Sequence, residues 1–312
     1  MKIGILIFTR EIKDTPLVSY ETKRLIDVGR SRGHDVQILF EPLFVFGPDD
    51  LIQYDGTVLD QFDIILARPA IIDEPSLHTV TVDLLKNAGY HIVNGMPTFS
   101  VSKNKLAQAM VFDREQIPHP RSIIVRHPKN AAAAADQIGY PVIIKVAFGT
   151  HGKGVFIAKD LETLQPIVDY LNIRDGNPVI LQEYIKPNAI RDGLEESSNG
   201  SLIRSDIRIL VVGNNIIASM ERVATGSDFR TNGHLDAKCR AVEISDQERE
   251  LALQATKAFD LEIAGVDLIR SDRGPLVLEI NSCPGFEQLE KATSVDVACA
   301  VIEYFETLLT DL

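Results

Sequence analysis

Ala264-Gly265-Val266-Asp267-Leu268-Ile269-Arg270 and Leu276-Val277-Leu278-Glu279-Ile280-Asn281 flank a short polar turn and run into Ser282-Cys283-Pro284-Gly285. Read as a hairpin, the second run alternates Leu276, Leu278 and Ile280 with Val277, Glu279 and Asn281, so Glu279 and Asn281 share a face. A three-residue turn, Asp272-Arg273-Gly274, puts Gly274 in the left-handed position such loops favour and sets Asp267 directly across from Glu279. A two-residue turn pairs Asp267 with Leu278 instead. The first register gathers two carboxylates and an amide oxygen, hard ligands suited to a magnesium ion that also holds phosphates. The same alternation equally describes a half-buried hairpin with a solvated polar face.

The 312 residues suffice for two or three domains with their own cores, and 45% hydrophobic with 24% charged residues is ordinary for a globular chain. The apolar opening Met1 to Phe8 is short and lacks a small-residue cleavage pattern, and no later run reaches membrane-spanning length. A cytoplasmic location and no membrane partner are the expectation. Cys239, Cys283 and Cys299 have no paired spacing, which argues for reduced thiols, and seven scattered histidines offer no zinc-type pair. A net charge of -12 argues against a nucleic-acid binder, while a local basic patch could still receive an anion.

Residues 1–98 alternate strand-like and helix-like runs: Lys2 to Phe8, Tyr20 to Arg32 closed by Gly33, Asp35 to Phe40, Phe62 to Leu66, and His78 to Ala88 ended by Gly89. This pattern implies a small parallel α/β domain, without a dinucleotide fingerprint because Phe8-Thr9-Arg10-Glu11 stands where glycines would. Ser100 or Ser102 can cap one helix running to about Arg114, and Ile117-Pro118-His119-Pro120 then breaks regular structure. Residues 99–185 form an α+β unit with strands at Arg121 to Val125, Pro141 to Phe148, Gly154 to Ala158 and Pro178 to Ile185, and helices at Ala131 to Ile138 and Leu161 to Leu171. Residues 186–312 begin with a polar loop to Ser205. They continue with strands at Ile207 to Val212 and Ile216 to Arg222, a helix at Asp246 to Phe259, the hairpin, and a helix at Val295 to Leu309.

Val142-Ile143-Ile144-Lys145-Val146-Ala147-Phe148 leads through Gly149-Thr150-His151-Gly152-Lys153-Gly154 into a second apolar strand. Neither nucleotide-binding glycine motif fits these residues, so they suggest a flexible hairpin whose backbone N–H groups at Gly152 and Gly154 approach phosphate, with Lys145 reaching the same anion. An ordinary glycine hairpin with Lys145 snorkelling to water is the plain alternative. Asp206 and Arg208 share a strand face, where a solvated ion pair is the simpler reading. Ser227-Asp228-Phe229-Arg230-Thr231-Asn232-Gly233 offers a guanidinium, a hydroxyl and an amide to phosphate, or else a capped turn. Lys103 and Lys105 lie on the predicted helix, where surface lysines usually do nothing specific, and Cys283 reads as a small buried thiol.

The order of these features is specific, and from about Lys105 to Ala298 the chain resembles the ATP-grasp enzymes, most closely the RimK-like glutamate ligases. The resemblance rests on Gln182-Glu183-Tyr184-Ile185, Ser205-Asp206-Ile207-Arg208, Asp228-Phe229-Arg230-Thr231-Asn232, Ala264-Gly265-Val266-Asp267, Arg273-Gly274-Pro275-Leu276-Val277, and the run Asn281 to Lys291. It implies an α/β and α+β ATP-grasp fold behind a small parallel pre-ATP-grasp domain, and a carboxylate-amine ligase that activates a carboxylate as an acyl phosphate. The cofactors implied are ATP and magnesium, or manganese in its place. By resemblance Lys105 and Lys145 contact ATP phosphates, Glu183, Tyr184 and Ile185 the nucleoside, and Asp206 the ribose. Arg230, Thr231 and Asn232 would meet phosphate and reacting groups, with Arg230 and Asn232 catalytic, and Asp267, Glu279 and Asn281 would hold the metal. Such chemistry needs positioning and charge neutralisation rather than a protein nucleophile.

The partners implied are ATP, an amino-acid donor and an amine or carboxylate acceptor, including a peptide or protein tail, and a homo-oligomer is left open. The chain departs from the pattern at His234-Leu235-Asp236-Ala237, in the extended loop from Lys186 to Ser205, and at Arg68-Pro69-Ala70, where relatives carry Pro-Arg-x-Gly with the arginine kept. These departures bear on the acceptor. Rival readings are a same-fold ligase of lysine biosynthesis or of a cofactor tail, an ATP-binding regulatory protein, and a metal-dependent phosphohydrolase.

Overall fold

The computed structural model describes residues 1–9, 18–48, 51–68, 75–95, 98–148, 154–186, 204–224 and 238–310. The first section runs β1 (Lys2–Ile7), α1 (Tyr20–Ser31), β2 (Asp35–Phe40), a small meander β3 (Phe44–Phe46), β4 (Ile52–Tyr54) and β5 (Thr57–Val58), then β6 (Ile64–Arg68), α2 (Pro75–Asn87) and β7 (Ile92–Val93). Four of the strands make a parallel sheet in the order β2-β1-β6-β7. Its central strands are apolar on both sides because both faces are covered. Leu6, Ile65 and Ala67 pack toward Val82, Leu85 and the meander, which was not expected. Ile3, Ile5, Ile64 and Leu66 pack the other way.

Two short helices, α3 (Thr98–Lys103) and α4 (Lys105–Arg114), replace the single helix expected here. Asn104 is the reason: its side-chain oxygen accepts from the backbone N–H groups of Leu106 at 2.9 Å and Ala107 at 3.4 Å, capping α4 and ending α3 before it. Then come β8 (Ser122–Val125), α5 (Ala131–Ile138), β9 (Val142–Val146), β10 (Val155–Ala158), α6 (Leu161–Asp175) and β11 (Val179–Glu183). The strands form an antiparallel sheet in the order β10-β9-β11-β8, and one of its faces, including Val142, Ile144 and Leu181, packs against Ala131 and Ala135 of α5 and Leu164 and Val168 of α6.

The remaining elements are β12 (Arg204–Val212), β13 (Asn215–Ala224), β14 (Lys238–Ala241), α7 (Asp246–Ala258), β15 (Ile263–Ser271), β16 (Gly274–Asn281), α8 (Glu287–Thr293) and α9 (Val297–Thr310). The strands order as β14-β13-β12-β15-β16. Ile207, Ile209, Val266, Leu268, Val277 and Ile280 bury one face against α4 and α7. On the other face Leu210, Val212, Ala218 and Met220 join β1, β6 and the apolar side of α9, including Val301 and Phe305, in one core. That leaves the polar residues of the same face, farther along the strands, to line a cleft.

The hairpin of β15 and β16 sets Asp267 across from Glu279, by a different route from the one its turn suggested. Ser271 pairs with Gly274, so the turn has two residues, Asp272 and Arg273, and that register holds as far as Leu268 opposite Val277. Leu278 is then an extra, bulged residue, and the ladder resumes one step on, with Asp267 against Glu279 and Gly265 against Asn281. The bulge also breaks the simple alternation: Val277 and Ile280, three apart, both enter the core, and Glu279 and Asn281 face away from it.

Two buried amides fix this hairpin to its neighbours. Asn94, just after β7 with φ of 57°, donates from Nδ2 to the carbonyls of Ile263 and Ser282, both at 2.7 Å. Its Oδ1 accepts from the N–H groups of Glu262 at 2.9 Å and Ile263 at 3.0 Å. Gln108 of α4 does the same for β16, donating to the carbonyls of Ser102 and Ile280 and accepting from Ile280 N–H.

Candidate functional site

One wall of the cleft is the polar end of the five-stranded sheet. Arg208 lies directly across from Asp267 in the strand register and grips it with two bonds, Nε to Oδ1 at 2.7 Å and Nη2 to Oδ2 at 2.8 Å. Arg222 lies across from Asp206, grips it in the same two-pronged way, and also reaches Asp267 Oδ1 at 3.1 Å. The expected solvated pair between Asp206 and Arg208 is therefore corrected: both side chains point to partners on neighbouring strands, and the group is buried. Asp267 is fully buried, which alone would raise its pKa, yet Arg208 and Arg222 outweigh burial and hold the carboxyl at about 2. Two carboxylates and two guanidinium groups cancel, so this wall is neutral within itself.

Glu279 stands one strand over, less buried, and accepts from Lys105 Nζ at 3.2 Å. Asn281 Nδ2 is 3.5 Å from Asp267 Oδ2. Among the described residues no three His, Cys, Asp or Glu side chains gather as a metal cluster, so the amide of Asn281 is needed as a third oxygen donor. The donor set fits a hard divalent cation: it is all oxygen, it is carried on rigid strands, and register brings its members together. Asp267 is the most committed member, because both its oxygens already accept guanidinium N–H groups.

The facing wall is cationic. Lys145 projects from β9 into the cleft, where burial lowers its amine to about 8 while Glu279 pulls the other way. The backbone N–H of Lys105 donates to Ala147 O at 3.0 Å, tying the start of α4 to the exit of β9 and so bringing the two lysines to one place. Lys103 is not the inert surface lysine expected of its helix. Burial lowers its pKa too, with Cys283 and Glu279 opposing and Lys105 and Arg68 adding to the lowering. Neither the Lys103 nor the Lys145 ammonium makes a hydrogen bond or ion pair among the described residues.

Gly154 closes the hairpin between β9 and β10 with φ of 85°, and a Cβ there would lie 2.3 Å from Val146 Cγ2, so a side chain is excluded by both dihedral and space. Gly152, and Arg230, Thr231 and Asn232, lie outside the described residues, as does most of the loop between Lys186 and Ser205. At the far edge Glu183 ends β11, accepting from Arg273 Nη2 at 2.7 Å and Arg121 N–H at 3.2 Å. Tyr184 and Ile185 follow beyond the strand, and the Tyr184 hydroxyl is buried without a hydrogen-bond partner.

Sequence reasoning missed Arg222, Asn94 and Gln108. Arg222 was hidden by a bulge: counting outward from the turn at Gly213-Asn214 pairs Asp206 with Glu221, and only the register shift between Leu210 and Val211 brings Arg222 opposite Asp206.

Comparison with known proteins adds to this geometry. A family model described as a RimK-like ATP-grasp domain matches residues 102–305. The chain is 33% identical to a "Probable alpha-L-glutamate ligase" of Enterobacter sp. (strain 638), covering 98% of this chain and 96% of that one. It is likewise 33% identical to one from Legionella pneumophila (strain Corby), covering 98% and 95%. Among solved structures, the ATP-grasp ligase PsnB complexed with a minimal precursor matches with a TM-score of 0.72 at 18% identity, covering 97% and 98%. D-alanine--D-alanine ligase from Bacillus anthracis matches at 0.68, also at 18%, covering 100% and 98%. These two likenesses speak for the fold.

Proposed function

The chain belongs to the RimK-like ATP-grasp family of carbon-nitrogen ligases, and from this premise we propose that it joins glutamate, or a closely similar amino acid, to an amino-acid, peptide or protein-tail acceptor in the cytoplasm. The observation that carries the reading is the opposition of two walls. Lys145, Lys105 and the Gly154 hairpin face the strand pair that holds Glu279, Asn281 and the arginine-clamped Asp267. A triphosphate fits between an excess of positive charge on one side and a preorganised oxygen set on the other.

In this reading Lys145 and Lys105 neutralise the phosphates and orient the terminal one toward a substrate carboxylate. The carboxylate oxygen attacks the γ-phosphorus, the bond to the β,γ-bridging oxygen breaks, and ADP leaves. An amine then attacks the acyl phosphate carbon, phosphate leaves, and the amine loses a proton as the amide forms. Magnesium, when bound, would be held by Glu279 and Asn281 with Asp267 sharing, and it would screen phosphate charge. Arg208 and Arg222 fix Asp267 in place. Glu183, Tyr184 and Ile185 flank the nucleoside, Asp206 supports that side through Arg222, and Arg230, Thr231 and Asn232 complete the phosphate contacts. A division of the chain into 1–98, 99–185 and 186–312 accompanies this reading.

ADP release measured with single amino acids and with pairs, followed by mass analysis of the product, tests it. Amino-acid-dependent ADP formation with a product heavier by one glutamyl residue is expected. ADP formation indifferent to amino acids, and unaltered in Glu279→Ala and Lys145→Ala, would sink it.

A further inference from the structure

Among the described residues β16 is an edge strand, with β15 on one side and no strand on the other. In an antiparallel ladder every second residue turns its N–H and C=O away from the partner strand, so an edge leaves a row of such groups to be met from outside. Ile280 is one of these outward residues, and it stands between Glu279 and Asn281. Gln108 of α4, 3% exposed, meets both of its groups: Oε1 accepts from Ile280 N–H at 3.0 Å and Nε2 donates to Ile280 C=O at 2.9 Å. A primary amide used in this way stands in for one residue of a further strand. The second N–H of Nε2 goes to Ser102 C=O at 2.6 Å, so the amide has no freedom to turn.

Ile280 is joined by peptide bonds to both oxygen donors. Peptide units are planar, so holding Ile280 N–H fixes the unit that begins at the Cα of Glu279, and holding Ile280 C=O fixes the unit that ends at the Cα of Asn281. The ladder by itself fixes them less well, because the bulge at Leu278 interrupts the pairing one residue before Glu279. One turn back along α4, on the same side of the helix, Lys105 Nζ donates to Glu279 Oε1 at 3.2 Å, and Lys105 N–H donates to Ala147 C=O at 3.0 Å. A single helical turn therefore joins the backbone between the two donors, the carboxylate of one of them, and the exit of the strand that carries Lys145.

We propose that Gln108 is a positioning residue for the divalent cation of this site: by pinning Ile280 it holds Glu279 and Asn281 at the spacing the cation needs, and at a set distance from Lys105 and Lys145. Groups that orient metal ligands from behind control affinity by about 10- to 100-fold without touching the metal. Water covers a strand edge as well, but it does not lock two peptide planes to the helix that bears a phosphate-binding lysine. The assignment rests on the ligase reading for the cation and the phosphates, and the measurement that tests it needs no turnover.

Thermal melts with ADP present and magnesium titrated test it, with Gln108→Asn and Gln108→Met beside the unaltered protein. Asparagine keeps the amide one methylene short, so a water can complete its bonds and the fold survives while the geometry is lost. Gln108→Asn is expected to keep Tm within about 5 °C of the unaltered protein. It should raise the magnesium concentration that gives half of the metal-dependent rise in Tm about 10-fold, with ADP binding in EDTA unchanged. Gln108→Met should raise that concentration about 10- to 100-fold, with a larger fall in Tm. Leu251→Ala, which thins the core that Ile280 enters, should lower Tm as well and leave the magnesium requirement where it was. An unchanged magnesium requirement in Gln108→Asn, an equal rise in Leu251→Ala, or ADP binding in EDTA that weakens with the substitution would overturn the proposal. A Gln108→Asn protein that does not fold would overturn it too, since the amide would then serve the fold itself. Melts of the unaltered protein that ignore magnesium would overturn it together with the metal assignment. Failure of the unaltered protein to form ADP with any amino acid would strike the ligase reading alone.

Discussion

The two walls of the cleft solve opposite problems with the same kinds of residue. On the five-stranded sheet every buried charge has a partner: Asp206 with Arg222, Asp267 with Arg208 and Arg222. On the four-stranded sheet the half-buried Lys145 ammonium has no hydrogen-bond or ion-pair partner among the described residues, and neither has that of Lys103 at the end of α3. The first arrangement stores rigidity, since each guanidinium is locked across a strand pair and the carboxylates stay ionised. The second stores an unmet demand for negative charge. A site of this kind binds an anion by relieving the second wall without disturbing the first.

The comparison breaks most severely if the paired wall is unbalanced. Arg222→Met strands Asp206 and half of the clamp on Asp267, with all three groups buried, and is expected to cost about 3 to 5 kcal/mol in urea denaturation. Removing the lone cation should act on turnover instead. Lys145→Met is expected to lower ATP-dependent activity about 100- to 1000-fold, read as kcat/KM for ATP, while leaving the unfolding midpoint equal or higher.

The unpaired wall also predicts a pH dependence. With its amine at about 8 in the folded protein and near 10.4 unfolded, Lys145 binds fewer protons folded than unfolded between those values. Its burial penalty is therefore relieved, and stability gained, as pH rises through that window. Phosphate binding runs the other way: KM for ATP should climb above about pH 8 as the ammonium is lost, up to tenfold per pH unit. Lys145→Arg should flatten that limb, because a guanidinium stays charged. The smallest effect concerns the hairpin that carries the paired wall. Gly274→Ala, at φ of 98°, is expected to cost about 1 to 2 kcal/mol with little change in kcat.

The elements were legible where periodicity and punctuation agree: α1 closed at Gly33, α5 at Gly139, and the hydrophobic strands β1 and β9 lie close to their expected limits. The helix across Ser102 to Arg114 misled because Lys103-Asn104-Lys105 carries no glycine or proline, and a cap inside a helical pattern looks like any polar residue until its hydrogen bonds are seen. The hairpin is the more instructive case. The pairing of Asp267 with Glu279 was anticipated from a three-residue turn, and the molecule reaches it with a two-residue turn and a bulge at Leu278. A bulge leaves no mark in composition, since the extra residue is as apolar as its neighbours. The cross-strand arginines were readable as residues but not as partners, because which carboxylate each meets depends on register summed over three strands.

The core shared by β1, β6 and α9 has a consequence for how the molecule is made. Ile3, Ile64 and Val93 share a core with Val301 and Phe305, so one face of the parallel sheet, covered early only by Leu25 and its neighbours on α1, stays incomplete until a helix roughly 200 residues downstream has been synthesised. At 5 to 20 residues per second that wait lasts about 10 to 40 s. During it the part of that face not covered by α1 is a sticky surface, which places the burden of chaperone protection on the first third of the chain.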